Sequence, residues 1–305
     1  MGNKKDATHR HVPMINHAEE IRPTPMILSI ASGKGGTGKT TVAVNLALAL
    51  KDSFSIQFLD CDVEEPNAHF FLKPRFEDSR IVHLPIPEIL EDRCNYCGKC
   101  AEVCAYNALA VLKDTVLVFP ELCHGCGGCH LLCPEKAIQE KGHRIGIAES
   151  GTADGITFAH GKLDIGQAMS PPLIRAVKTM MKPDHVVIID APAGTSCPVV
   201  ESVKGSDICL LVTEPTPFGL NDLSLAVETL KELGIPIGVV INRSDGEDRV
   251  IRDYCHEEKV PVLMTIPIDR TIAVAYSEGQ TIIATQPSYK EKFLNLFQQA
   301  QRLIQ

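Results

Sequence analysis

The stretch Ser32-Gly33-Lys34-Gly35-Gly36-Thr37-Gly38-Lys39-Thr40-Thr41, set directly behind the apolar segment Met26-Ile27-Leu28-Ser29-Ile30-Ala31, constrains this chain more than any other. An apolar run, a glycine-rich loop and a run of small and aliphatic residues over 41–50 predict strand, loop and helix in that order. The glycines let successive backbone N–H groups curl around an anion, and the helix that follows adds its positive N-terminal end. Every fixed position of G-x-x-x-x-G-K-[ST] is filled, which places Lys39 to reach β- and γ-phosphates and the Thr40 hydroxyl to ligate Mg²⁺. The fold class that follows is α/β, a doubly wound, mostly parallel sheet with its ligand at the carboxyl ends of the strands.

Lys34 adds a second lysine, and Gly33-Lys34-Gly35-Gly36-Thr37-Gly38-Lys39-Thr40 resembles the deviant phosphate loop of the MinD, Mrp and nitrogenase iron-protein superfamily. The resemblance implies ATP as the nucleotide, residues 33–41 as its cradle, and slow, partner-stimulated hydrolysis with Lys34 and Lys39 among the catalytic residues. It further implies an ATP-dependent homodimer in which Lys34 touches phosphate on the opposite subunit. After the loop, Ser55-Ile56-Gln57-Phe58-Leu59-Asp60 reads as the next strand and delivers Asp60-Cys61-Asp62 to the ligand-binding edge. Asp-x-Asp followed by Val63-Glu64-Glu65-Pro66-Asn67 resembles the first switch of the superfamily, which gives Asp62 the attacking water and Asp60 a place at the hydrated Mg²⁺. The run Val186-Val187-Ile188-Ile189-Asp190 predicts a strand covered on both faces. Asp190-Ala191-Pro192-Ala193-Gly194 resembles the second switch, with Asp190 orienting Mg²⁺-bound water and Gly194 sensing the γ-phosphate. Asn242 ends a strand and is implied to hydrogen-bond adenine, with Pro267 and Ile268 beside it; read alone, Asn242-Arg243 is equally a turn.

Eight of the twelve cysteines fall between Cys94 and Cys133. Cys94-x2-Cys97-x2-Cys100-x3-Cys104 is repeated as Cys123-x2-Cys126-x2-Cys129-x3-Cys133-Pro134, with 29 residues between equivalent cysteines. This is the bacterial ferredoxin pattern twice, in which the fourth cysteine of each run ligates the other cluster. It assigns Cys94, Cys97, Cys100 and Cys133 to one [4Fe-4S] cluster and Cys123, Cys126, Cys129 and Cys104 to a second. Zinc is the chemical alternative, but its tetrahedral sites rarely use three cysteines spaced two apart with a fourth three later. Ala105 stands where Pro134 stands in the second run, which touches helix geometry and not ligation. Residues 110–118 predict a hairpin around Lys113-Asp114. Cys197, at a helix start in Ser196-Cys197-Pro198, reads as a buried structural cysteine ahead of a redox or dimer-bridging one.

Residues 1–25, with His9, His11 and His17 at irregular spacing, are expected to be a mobile tail. Residues 26–90 and 143–305 are expected to form the nucleotide domain, and 91–142 an inserted, small α+β ferredoxin-like domain. A short strand at 81–84, strands at 155–159, 207–213, 235–242 and 262–266, and helices at 171–181, 220–233 and 248–259 alternate as right-handed crossovers require. At 289–305, Phe293, Leu296, Phe297 and Leu303 near helical spacing predict a core helix; a membrane-lying helix is the alternative, disfavoured by the few cations on its polar face.

A formal charge of −8 argues against nucleic acid, whose backbone attracts clustered Lys and Arg. No apolar run reaches spanning length, so a cytoplasmic protein without a membrane anchor is expected, its cysteines free of disulfides. The combined resemblance implies ATP-gated electron transfer to an unidentified redox partner. An iron–sulfur carrier acting on an acceptor protein, as Mrp proteins do, and MinD-like spatial organisation are the alternatives. Mrp proteins bridge their dimer with a separate Cys-x-x-Cys, and Cys197, Cys209 and Cys255 form no such pair.

Overall fold

The computed structural model describes residues 25–305, and the histidine-bearing segment expected as a tail lies outside them. β1 (Met26–Ser32) runs through the glycine loop into α1 (Lys39–Leu50), whose residues are buried nearly all round, as a helix without a polar face must be. β2 (Ile56–Asp60) and the short α2 (Ala68–Leu72) follow. β3 (Arg75–Ile89) then leads into a small lobe made of α3 (Lys99–Glu102), the hairpin β4 (Leu109–Val111) and β5 (Val116–Val118), and α4 (Gly128–Leu132), from which β6 (Ile138–Ala153) returns. β7 (Ile156–Leu163), α5 (Pro171–Lys178), β8 (Val186–Ala193), α6 (Cys197–Val203), β9 (Ile208–Thr213), α7 (Pro217–Glu232), β10 (Ile237–Ser244), α8 (Arg249–Glu257) and β11 (Val262–Pro267) complete the sheet. The chain ends with α9 (Arg270–Ser277), α10 (Ile282–Thr285) and α11 (Tyr289–Arg302).

The large sheet has the order β11-β10-β9-β1-β8-β2-β7-β6-β3. Every pair from β11 to β7 is parallel, whereas β6 is antiparallel to both of its neighbours. The reversal follows from Asp154-Gly155, whose φ angles of 48° and 82° make the two-residue turn that a tight hairpin needs. In place of the short strand expected at 81–84 there is a 15-residue strand, and residues 138–142, expected in the insertion, belong to β6. The first half of β3 is an exposed edge, so Glu77, Asp78, Ser79 and Arg80 stand where a covered strand would carry β-branched residues. Pairing runs from Arg75↔Thr152 to Ile89↔Ile138, so a two-stranded ribbon carries the sheet out to the lobe.

Helices cover both faces: α1, α10 and α11 pack over Phe58 and Phe158, and α5 to α8 pack on the opposite side. α11 buries Tyr289, Phe293, Leu296, Phe297 and Ala300, in keeping with the core helix expected there. Among the described residues, no helix is long and apolar enough to cross a membrane.

Within the lobe the sequence repeat is also a backbone repeat. Tyr96 and Gly125 take φ of 57° and 62°, Gly98 and Gly127 take 83° and 71°, and Asn107 and Lys136 take 53° and 50°. Such left-handed positions strain a side chain like tyrosine or lysine, and here they curl each cysteine run about its own interior. Ala108 and Ala137, then Leu109 and Ile138, are buried at matching places.

Candidate functional site

The carboxyl ends of the parallel strands open on a cavity of about 860 Å³. Gly35, Gly36, Gly38, Lys39, Thr40 and Thr41 line it, with Asp62, Glu64, Glu65 and Asn67 from the loop after β2, Pro192 and Ala193 from the end of β8, and Asn242 and Pro267 from the ends of β10 and β11. Gly38 holds φ of 94°, and a Cβ at Gly33 would come 2.1 Å from the Asp222 carbonyl oxygen of α7, so both positions require glycine. Asn242 donates its amide to the Thr37 carbonyl at 2.7 Å, bracing the loop as well as facing the cavity. The Thr37 hydroxyl is buried without a partner among the described residues. Gly194 takes φ of 97° and donates its N–H to the Ser32 carbonyl at 2.9 Å, tying the end of β8 to the phosphate loop.

Asp60 and Asp190 face each other across the parallel register of β2 and β8, and both are fully buried. Asp60 accepts the backbone N–H groups of Asp62 at 3.2 Å and Ala68 at 3.1 Å, so it fixes the loop that carries Asp62 onto the cavity wall. Among the described residues, neither oxygen of Asp190 accepts a hydrogen bond of ordinary geometry, although the Thr40 hydroxyl lies close enough to favour its charged form. Burial pushes Asp190 up to about 7, with Thr40 and then Lys39 pulling it back. Burial, followed by the charge of Asp190, raises Asp60 well above the usual carboxylate range. Asp62 is raised by burial and pulled back by Lys39. An unpartnered buried carboxylate beside a hydroxyl is the all-oxygen donor set that Mg²⁺ takes, so these residues fit the ion.

The nucleotide-free protein is therefore expected to lose stability as pH rises. Unfolded, Asp190 ionises near 3.8; folded, it keeps its proton to about 7. Between those values the folded state binds the extra proton, and each pH unit costs about 1.4 kcal/mol. Asp60, raised by the same burial, contributes to that slope, so Asp190→Asn should reduce it and raise the melting temperature at pH 8 by roughly 5 °C. Thermal melts from pH 5 to 8 check this, and a variant with the wild-type pH profile would remove Asp190 as the cause.

Lys34, expected to reach across to a second subunit, lies 3.3 Å from Glu214 Oε2, and Arg243 holds the other carboxylate oxygen at 2.5 Å. Glu214 directly follows β9, and its place at a strand's carboxyl end was the only sequence signal for it. Cys197 corrects an expectation: it is exposed, because it opens α6 at the surface while Val199, Ser202 and Val203 face inward.

The lobe holds two smaller cavities. One is lined by Cys94, Cys97, Cys100 and Cys133, and the other by Cys104, Cys123, Cys126 and Cys129. Each run thus contributes three thiols to one cavity and its fourth to the other. Among the described residues, no three His, Cys, Asp or Glu side chains converge closely enough to hold a single metal ion, and the thiols stand around a space instead. The N–H of Ala108 points at Cys104 Sγ and that of Ala137 at Cys133 Sγ, both at 3.3 Å, and Gly125 donates to Cys123 Sγ at 3.4 Å. Tyr106 and His124 stack with ring centroids 3.4 Å apart beside the second cavity. At the equivalent positions beside the first, Asn95 donates to Glu135 at 3.0 Å.

The chain is similar to known proteins over most of its length. The domain described as "CbiA: CobQ/CobB/MinD/ParA nucleotide binding domain" matches residues 28–282. An uncharacterized protein of Methanocaldococcus jannaschii is 31% identical over 264 residues, which are 85% of this chain and 91% of that one. An uncharacterized ATP-binding protein of the same organism is 26% identical over 85% of this chain and 81% of its own length. The solved structure of the septum site-determining protein MinD from Pyrococcus horikoshii, complexed with Mg-ADP, is similar in fold with a TM-score of 0.55 and 22% identity, over 90% of this chain and 94% of that chain.

Proposed function

Because this chain belongs to the CobQ/CobB/MinD/ParA nucleotide-binding family, we propose that it is an ATPase whose nucleotide-driven dimerisation gates electron transfer through two [4Fe-4S] clusters to a redox partner. The observation that carries this reading is the crossed lining of the two lobe cavities. Four thiols drawn from two runs and spread around a space suit a cubane with iron at four corners, whereas a lone tetrahedral ion needs them drawn together. Backbone N–H groups aimed at three of the sulfurs suit thiolates, which they stabilise. When bound, such a cluster supplies one-electron storage at low potential.

The chain's own residues supply the rest. With Mg-ATP bound, Lys39 and the loop N–H groups would hold the phosphates, Thr40 and Asp190 would hold Mg²⁺, and Asp62 would align the attacking water on the cavity wall. Lys34 exchanges Glu214 for the phosphate of a second copy. A cytoplasmic setting, in which thiols stay reduced, belongs to this reading. Spatial organisation of the MinD kind has the same family and fold in its favour, but it leaves the eight lobe thiols without a use. An iron–sulfur carrier would use them, and it makes a different forecast.

If ATP favours a closed dimer that changes the surroundings of the clusters, their potentials differ between nucleotide states, and their oxidation state alters nucleotide affinity by the same factor. A tenfold effect corresponds to about 59 mV for one electron. Potentiometric titration with ADP and with a non-hydrolysable ATP analogue, paired with nucleotide affinities of the oxidised and reduced protein, should detect both shifts. Values that stay put in both experiments would end the gating proposal, and ATP-dependent passage of intact clusters to an apo-acceptor would favour the carrier.

A further inference from the structure

The loop at 62–67 walls the nucleotide cavity with Asp62, Glu64, Glu65 and Asn67, and its other side is tied down. The Val63 carbonyl accepts the N–H of Leu163 at 2.8 Å, at the end of β7. Glu64 accepts the hydroxyl of Ser170 at 2.9 Å. Ser170 is only 1% exposed and occupies the residue before α5, yet its hydroxyl makes no bond to that helix. A serine there ordinarily caps the helix and adds about 1 kcal/mol. Pro172 removes the N–H of the second helical position, one of the two it could have met, and the hydroxyl is turned to the nucleotide-facing loop instead.

The segment between these two contacts is bonded in turn to the ribbon. Asp164 donates its N–H to the Ile145 carbonyl at 2.9 Å and receives the Arg144 guanidinium on both carboxylate oxygens, at 2.7 and 3.2 Å. Arg144 and Ile145 lie in β6 next to His143, which pairs with Leu84 of β3. The tip of Leu84 rests against Gly125, between Cys123 and Cys126, so closely that a Cβ there would come within 2.6 Å of it. Packing follows the same course: Val63, Leu173, Ile145 and Leu84 belong to one buried apolar cluster. Segment 163–170 is thus fastened at one side to a loop that faces the nucleotide and at the other to the strands that support a thiol cavity.

We infer that segment 163–170 couples nucleotide state to the lobe, with Ser170 and Arg144 as its positioning residues. This rests on the reading of the lobe cavities as iron–sulfur sites and adds to it the route by which ATP is felt there. Coupling of this kind needs an element that both sites bias, and a segment bonded to both is placed to be one. The exposed Arg144–Asp164 pair contributes little stability by itself, so cutting it, like cutting the Ser170 contact, tests position with small cost to the fold.

The experiment uses the full-length, cluster-loaded protein as wild type, Ser170→Ala and Arg144→Gln. Cluster potentials are titrated with ADP and with a non-hydrolysable ATP analogue, and hydrogen exchange of β3 and β6 amides is followed in the same two states. The wild type is expected to show a nucleotide effect of about tenfold on the reduction equilibrium and altered exchange in the ribbon. Each variant should keep the wild-type iron content and the nucleotide affinity of the oxidised protein but reduce both nucleotide effects by about half or more on a logarithmic scale. Variants that retain the full nucleotide effect would overturn the route and leave gating intact. A wild type with no nucleotide effect on potential or exchange would overturn the route and the gating together.

Discussion

Cys104→Ser is expected to cost the protein the cluster of the other cysteine run. Anaerobically purified wild type should carry about eight iron and eight sulfide per chain, and the variant about four of each. Because Cys104 lines the cavity of Cys123, Cys126 and Cys129, adding Cys126→Ser should remove little more, whereas adding Cys100→Ser should remove the second cluster as well. An uncrossed arrangement, each run serving its own cluster, predicts the reverse for the two double variants, so iron analysis and electron paramagnetic resonance of the pair decide between them. About four iron in fully reconstituted wild type, or stoichiometric zinc, would sink the assignment.

Lys39→Ala should weaken nucleotide binding by at least about a hundredfold, or about 2.7 kcal/mol, since it removes a buried cation from the phosphate loop. Lys34→Ala should leave binding nearly unchanged and abolish ATP-dependent dimerisation and hydrolysis. The ion pair with Glu214 sharpens this contrast. A lysine held by a carboxylate of its own chain has to give that partner up to reach another subunit, so Glu214→Gln should strengthen dimerisation a few-fold at low salt and less at high salt. Sedimentation in the Asp62→Ala background, in which hydrolysis is blocked, measures dimerisation of the Lys34 and Glu214 variants, while nucleotide titration and phosphate release in the otherwise wild-type chain measure binding and hydrolysis. A monomer under saturating ATP would refute the cross-subunit role of Lys34.

The legible parts of this chain are those in which a physical requirement leaves a dense local trace. The phosphate loop, the covered strands β1 and β8 and the crossed thiols needed only spacing and β-branched runs to be read. β3 escaped because an exposed edge has no apolar alternation to display, and that miss displaced the insertion boundary by five residues, 138–142. Cys197 misled because thiols are usually buried, while burial in a short helix is decided by which face meets the sheet. Glu214, Arg144, Asp164 and Ser170 were silent for a further reason: each acts through a partner remote in sequence, Glu64 and Ser170 being 106 positions apart, and only the folded topology introduces them.

The ribbon has a consequence for the life of the molecule in oxygen. The chain leaves the large sheet and re-enters it through paired neighbours, Leu90 donating its N–H to the Ala137 carbonyl at 2.8 Å, so to the rest of the protein the whole lobe is the loop of one long hairpin. Closure entropy rises only slowly with loop length, so a molecule without the proposed clusters should keep a hairpin with a slack end and its nucleotide sheet. On the reading of the lobe as an iron–sulfur domain, oxidative loss of its clusters would then spare the scaffold: the stripped chain should stay folded around its nucleotide site, and fresh iron and sulfide should be able to refill the lobe without a new round of synthesis.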